Sequence, residues 1–590
     1  MITIELNDQY TGERTSFLET DLTYDNQLIN EDIWPEIYDE ILYKKIDNKY
    51  YRRVLIDDTV NIKWFGAKGD GVTDDSIPIQ KAINSSHSIR IDSGEYLINS
   101  PIIIGIKFSG LSIKGCGADK WYDLDEIGHR TKPYTVLLTK TANSIFKGDK
   151  GLNFFKISDI LFEGNNIGSI AMDFVNGGGL VLDRVTVKHF TEYGLRSEEG
   201  LLRINNCFFE NNIIGAQIYS DSSISNSEFT GGSIPLKLVA GGNRLVNIWC
   251  NSGKETCLHI EPLNYTTGHQ NTSITNLYIG EVKNVLGEAY AMRIIGNNEK
   301  RVQQIQISNS FFVHAEGLNK SINGLVYLNN ADEIIFNSIN VLGKGANAKI
   351  DDYTSHFIRG ANSERITINS CVVNGINKNA IYQGENCHDW EILNNTFINC
   401  GDTIAKEEEE DGANIYVSET VWGRTSIIGN KFLVSSNSYT PYAAYISSIN
   451  SLNWGSNFIS YPNNNIIVKT PDGINNFSGS SYISGIPYQK IRKIELVSSY
   501  FESGSTLPTV GLQNAQFFYL DTFNKPIWYD AQDLLWRDAY GINVNLKRSG
   551  ITLDRPTGNL ELGFRYFDST LGIPIYWQGT TWVKADGTNA

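Results

Sequence analysis

One motif recurs along the middle of this chain and restricts the folds open to it. An apolar residue, a spacer, an Asn or Asp, and then further apolar residues repeat from Lys156 to Phe397. The units place Asp159, Asp183, Asn206, Asn226, Asn247, Asn276, Asn309, Asn337, Ser370 and Asn394 at equivalent positions. Successive intervals, taken as differences of position, run 24, 23, 20, 21, 29, 33, 28, 33 and 24 residues. Short strands separated by turns at about this period match one coil of a parallel β-solenoid, in which each strand pairs with the coils above and below. An Asn at one fixed place per coil belongs in a turn, where its amide can bond its neighbours in a ladder. Asp183 is therefore expected to be structural. The coils from Asn247 to Ser370 are longer, and the excess is expected to leave the solenoid as loops, where sites are commonly built.

Composition narrows the function. The 590 residues carry 50 basic and 66 acidic side chains, a net charge of −16. Such a chain lacks the basic footprint of a nucleic-acid binder and is a poor match for anionic membranes. The densest charge run, Glu407 to Asp411, reads as a solvated loop. Seven cysteines without metal spacing point to no disulfide framework, and no zinc or calcium pattern stands out. Neither a signal peptide nor an apolar run of the roughly 18 to 20 residues needed for a membrane span is seen.

The expected organisation is a leader over 1–58, a head with a capping helix over 59–150, a solenoid body over 151–435, a connecting region over 436–510 and paired β-hairpin modules over 511–590. Within the leader, Asn30 to Tyr43 reads as a short amphipathic helix. In VNIKWFGAKGDGVTDDSIPIQKA a helix is expected to open at Thr73 or Asp74, with Asp74 and Asp75 at its N-terminus. No phosphate-loop spacing follows the glycines. At the far end, FFYLDTFNKPIWYD and FRYFDSTLGIPIYWQ are two copies of one hairpin pattern.

The head segment resembles that of the pectate-lyase-like superfamily of right-handed parallel β-helices, and GFRYFDSTLGIPIYWQGTTWVKADG resembles a module at the ends of phage tail fibres and tailspikes. The resemblance implies an all-β fold, a right-handed parallel β-helix, assembled as a homotrimer that binds and often cleaves a bacterial surface polysaccharide. It further implies attachment to a phage tail or baseplate through the N-terminal segment, assembly in the host cytoplasm and action at the bacterial surface, with no cofactor indicated. Lyases, hydrolases and plain scaffolds share this fold, so chemistry must be read from side chains.

Counting from the ladder, positions one and three should face inward and positions two and four outward. Position two gives Glu228, Trp249, Tyr278 and Phe311 on successive coils, and position four gives Glu210 one coil before Glu228. Glu210 and Glu228 would lie roughly 7 to 8 Å apart at Cβ, a spacing suited to an inverting glycosidase. Trp249 and Tyr278 would stack on sugars. A second candidate cluster joins Glu281, His314 and Glu316, with His314 as a proton shuttle. Glu261, Glu288, Asp351 and Asp352 lie in the same stretch, and His189 with Glu192 forms a further pair. Hydrolysis is favoured over elimination because carboxylates outnumber bases on the inferred face. The alternatives are a glycan-binding tail protein without catalysis and a polysaccharide lyase. The chain's acidity repels polyanions, so the substrate is expected to be neutral or weakly charged unless the groove is locally basic.

Overall fold

The structure is a computed structural model. It describes residues 2–460 apart from 106–109, 119–133, 149–151, 264–267, 284–288, 315–321, 344–353, 402–412, 434–441, 448–450 and a few single positions, together with strands and short segments beyond 460. The charge run Glu407 to Asp411 lies outside the described residues.

Each coil supplies three strands. The first sheet contains Leu152–Ser158, Gly177–Asp183 and Arg203–Asn205; the second contains Leu161–Glu163, Thr186–Lys188 and Phe208–Glu210. The third contains Ile170–Phe174, Tyr193–Ser197 and Ile214–Ile218 in a row of 14 strands from Ile102–Ile104 to Ile467–Lys469. Pairing from coil to coil is parallel throughout, which defines a parallel β-helix. It continues past residue 435, where Phe458–Ser460 pairs with both Lys431–Leu433 and Tyr482–Ile483.

The corner between the first and second sheets explains the motif. Asp159, Asn206, Asn226, Asn247, Asn276, Asn309, Ser370 and Asn394 all have φ between 48° and 59°, a left-handed conformation that Asn and Asp tolerate better than most residues. Strands such as Ser223–Thr230 and Arg244–Asn251 run through this corner and serve both sheets. Side-chain amides bridge coils here: Asn247 Nδ2 donates to Asn226 Oδ1 at 2.9 Å, and Asn276 Nδ2 to Asn247 Oδ1 at 2.7 Å. Two coils differ from expectation. Arg184 and Ser338, with φ of 52° and 56°, occupy the corner in place of Asp183 and Asn337. Asp183 instead ends a first-sheet strand and pairs with Arg184 at 2.6 Å, a structural role. Further on, Gly429 takes the corner at φ 71°, where an added Cβ would lie 2.4 Å from Asn394 Oδ1.

The residue after the corner points inward and forms a second stack. Asn395, Asn430 and Asn457 are fully buried. Cys371 N donates to Asn395 Oδ1 at 2.8 Å, Asn395 N to Asn430 Oδ1 at 2.9 Å and Asn430 N to Asn457 Oδ1 at 2.9 Å. Three residues past the corner come Phe209, Phe229, Cys250, Ile279 and Phe312, all buried, with the Phe209 and Phe229 rings stacked at 5.0 Å. All seven cysteines are free and six of them are buried.

At the head, Ser76–Ser85 is helical and buries Ile79, Ala82 and Ile83. It opens later than expected because Asp70–Asp74 forms a strand against Gly94–Leu97. Asp70 accepts the Val72 and Thr73 amides, which holds its carboxyl at about 2. Asp74 accepts the Ser76 amide at 3.0 Å, and Asp75 reaches back to the Lys68 amide at 2.7 Å. The glycine-rich segment is thus a cap for the solenoid.

The leader is a four-stranded antiparallel sheet of Thr3–Asn7, Arg14–Glu19, Lys49–Arg53 and Tyr43–Ile46. Residues 33 and 35–37 of the expected leader helix lie outside the described residues, and Tyr43 opens a strand. Arg53 forms a buried ion pair with Asp8 at 2.6 Å and lies 3.6 Å from the Trp64 ring centroid, joining leader to head. Beyond the solenoid, Phe517–Leu520, Lys525–Asp530 and Leu535–Asp538 form an antiparallel meander, and Arg565–Asp568, Ile573–Trp577 and Trp582–Lys584 repeat it. Each meander takes a fourth, parallel strand at one edge. Among the described residues no helix is long and apolar enough to cross a membrane.

Candidate functional site

The outer face of the second sheet gathers most of the predicted residues. Phe208, Glu228, Trp249, Tyr278 and Phe311 occupy one row on five successive coils, each in register with the next. Lys188, Glu210, Thr230 and Asn251 form the neighbouring row. Inward and outward positions alternate along each strand because successive side chains point to opposite faces.

Trp249 and Tyr278 are stacked, with centroids 3.8 Å apart and planes at 16°. Phe311 continues the stack at 5.8 Å from Tyr278. Trp249 remains 43% exposed and Phe311 39%, so the stack ends in open aromatic surface. Such faces suit the C–H surface of a sugar ring. Tyr278 donates through its hydroxyl to Glu281 Oε1 at 3.3 Å, and Asn251 Nδ2 donates to Glu281 Oε2 at 3.3 Å. Burial, and then the Glu281 charge, push the Tyr278 phenol up to about 12.

Glu210 and Glu228 lie on the same face, one coil and two residues apart. Glu228 sits between the aromatic residues Phe208 and Trp249 in its row. Glu210 Oε2 lies 2.8 Å from Lys188 Nζ, whose side chain is 4% exposed. Lys188 also lies 5.3 Å from the Phe208 ring centroid.

Beside Glu210, at the turn into the third sheet, a cleft of about 340 Å³ is lined by His189, Asn211, Asn166, Thr191, Gly232 and Lys254, among others. His189 Nδ1 lies 2.9 Å from Glu163 Oε1. That hydrogen bond raises the imidazole pKa against the opposing effect of burial. The partner of His189 is therefore Glu163 on the preceding coil, where the sequence pointed to Glu192.

The second predicted cluster does not assemble as expected. Glu281 faces outward beside Tyr278, whereas His314 is buried and its Nδ1 lies 2.6 Å from Thr354 Oγ1, inside the solenoid. Strand alternation fails at this turn, so equal spacing from the corner does not give equal direction. Glu316, Glu288, Asp351 and Asp352 lie outside the described residues. Glu261 directly follows the third-sheet strand Leu258–Ile260 and pairs with Lys237 at 2.6 Å. Among the described residues no group of three or more His, Cys, Asp or Glu side chains is placed to hold a metal ion.

Glu163, Lys188, Asn251 and Lys254 were missed by sequence reasoning. Counting four residues from Asp159 would have found Glu163. Lys188 was hidden because the corner of its coil is Arg184; counted from Asp183, position four falls on the inward Val187.

Comparison with known proteins agrees with this architecture at the head. A model of the rhamnogalacturonase A/epimerase, pectate lyase-like family matches residues 59–120. No curated protein matches the chain. Among solved structures, tailspike protein 3 of bacteriophage CBA120 is 15% identical, with a TM-score of 0.42 over 85% of this chain and 72% of the phage protein. The A-module of the Azotobacter vinelandii mannuronan C-5 epimerase AlgE4 is 15% identical, with a TM-score of 0.37 over 72% of this chain and 100% of that module. The catalytic domain of a GH87 α-1,3-glucanase is 14% identical, with a TM-score of 0.40 over 68% and 73%. Strand register defines the chain as a parallel β-helix protein. Its head, residues 59–120, is similar to the pectate lyase-like family.

Proposed function

We propose that this chain is a phage tailspike that binds a bacterial surface polysaccharide along the outer face of the second sheet and cleaves it by glycoside hydrolysis. The observation that carries the reading is the exposed Trp249–Tyr278 stack, in one row with Glu228 and one coil further from Glu210. Five coils of this row span about 19 Å at the strand spacing, enough for several sugars lying along the axis. Carboxyl groups at a diagonal Cβ spacing of roughly 7 to 8 Å leave room for a water between one of them and the sugar. Glu210, paired with Lys188, takes the proton from that water. Glu228, between two aromatic residues, donates its proton to the leaving glycosidic oxygen. Glu281, held by Tyr278 and Asn251, hydrogen-bonds sugar hydroxyls. A homotrimer attached to the phage tail through its leader completes the reading.

The test is release of reducing ends from purified capsule or O-antigen of susceptible bacteria. Glu210→Gln and Glu228→Gln are each expected to slow release by about 100-fold or more while the polymer still binds. Full activity in both variants overturns the catalytic assignment. Bound polymer that the native protein never cuts leaves a receptor-binding protein without catalysis. Light scattering is expected to give three times the chain mass, and a monomer would remove the tail assignment.

The cleft beside Glu210 favours a second reading, elimination from a uronate polymer. Its His189 and Lys254 are bases of the type that remove a proton next to a carboxylate. Ultraviolet absorbance from an unsaturated sugar product, with loss on Lys254→Met, separates this reading from hydrolysis.

A further inference from the structure

The third sheet carries an aromatic and cationic row that the groove on the second sheet does not use. Arg293, Tyr327, Arg359, Tyr382 and Tyr416 occupy equivalent outward positions on five successive strands. Tyr327 stacks on Tyr290 at 4.9 Å, and Tyr382 on Tyr416 at 4.7 Å. Arg359 lies between these pairs. Its Nη1 donates to the Tyr290 hydroxyl at 3.3 Å, and its guanidinium lies 5.4 Å from the Tyr382 ring centroid.

Arg359 is half-buried, and among the described residues no carboxylate pairs with it. Its neighbours in the solenoid are treated differently. Arg196 is held by Asp173, Arg301 by Glu364, Arg184 by Asp159 and Arg365 by Asp332. Withdrawing a cation from water without an anion is unfavourable. A chain with 66 acidic residues has acids to spare for a partner. The guanidinium fork matches a carboxylate through two parallel hydrogen bonds, while tyrosine faces accept a sugar ring.

We propose that Arg359, with Tyr327 and Tyr382, forms a binding site for the carboxylate of an acidic saccharide, on the third sheet and separate from the groove of the second. The site anchors a polymer without cutting it. It requires neither hydrolysis nor any activity in the groove, so the two readings fail independently.

The test is calorimetric titration with oligogalacturonate, oligomannuronate and oligoglucuronate, each beside its carboxyl-reduced neutral counterpart. Titrations are made in the Trp249→Ala background, which weakens binding on the second sheet. At least one acidic oligomer is expected to bind, at least tenfold more tightly than its reduced form and more weakly as salt rises. Arg359→Gln is expected to lower that affinity at least tenfold, and Arg359→Lys less. The proposal is overturned if no acidic oligomer binds, or if Arg359→Gln binds as the parent does. A sulfated oligosaccharide that binds more tightly than every uronate would overturn the carboxylate assignment. A fall in native mass with unchanged binding would assign Arg359 to a subunit contact instead. Thermal melts accompany each variant. If Arg359→Gln does not fold, Tyr327→Ala and Tyr382→Ala carry the same comparison.

Discussion

Lys188 Nζ lies 2.8 Å from Glu210 Oε2, with the lysine side chain almost wholly withdrawn from solvent. In register, Glu163, Lys188 and Glu210 follow one another on adjacent strands, so one cation separates two carboxylates. Lys188→Met keeps the length of the stem and removes the charge. It is expected to destabilise the fold by about 1–3 kcal/mol, because two carboxylates then face each other with less solvent than they need. Urea unfolding of the variant measures this, and an unchanged midpoint would show that the pair is dispensable.

Trp249→Ala separates binding from folding. The ring is 43% exposed, so most of its loss falls on the ligand and little on the core. Truncating an aromatic contact of this kind is expected to cost about 1–2 kcal/mol of binding, or roughly 5- to 30-fold in KM, with kcat nearly unchanged. A change confined to kcat would place Trp249 outside the polymer track.

The interior and exterior asparagine stacks differ in what they satisfy. Asn430 Oδ1 accepts from Asn395 N at 2.9 Å, and its Nδ2 donates to Ile392 O at 2.8 Å, all buried. Asn430→Ala is expected to cost about 2–4 kcal/mol, since each orphaned buried group costs about 1–3 kcal/mol. Asn226 is solvent-facing at φ 48°. Asn226→Gly keeps the corner conformation and is expected to cost under about 1 kcal/mol. Paired denaturation curves decide the order, and equal losses would remove the distinction.

Histidine burial gives the stability a pH dependence. Burial lowers His259 to about 4 and His269 to about 3. Each is therefore neutral in the folded chain where the unfolded chain, with an ordinary value near 6.5, takes up a proton. Their contribution is fully present above about pH 6.5 and is lost as pH falls from there toward about 4 for His259 and about 3 for His269. His189 has the opposite sign: raised by Glu163, it adds stability below about pH 6.5 that is lost as pH rises through its folded value. Melting temperature is expected to fall on acidification, and His269→Gln is expected to flatten that slope. An unaltered slope in His269→Gln would put the dependence elsewhere.

The solenoid was legible because its physics is periodic. A left-handed corner selects Asn or Asp, and the strand that follows alternates inward and outward. Eight of the ten corner positions named from the repeat hold that conformation. The same rule put Glu210, Glu228, Trp249 and Tyr278 on one face. It failed where the coil breaks the pattern. Arg184 in the corner shifted the count by one residue, and a one-residue slip exchanges the faces of a strand. That hid Lys188. At the next turn the alternation ends, which sent His314 into the interior while Glu281 stayed outside.

The amino-acid order alone therefore determined the corner of each coil and which positions after it face inward or outward, because the left-handed corner and the strand alternation are local to a few residues. Which charges meet was decided by stacking. Glu163 with His189, and Lys188 with Glu210, meet between coils 26 and 22 residues apart. Loop lengths vary from coil to coil, so those pairings depend on three-dimensional register, which local sequence does not encode.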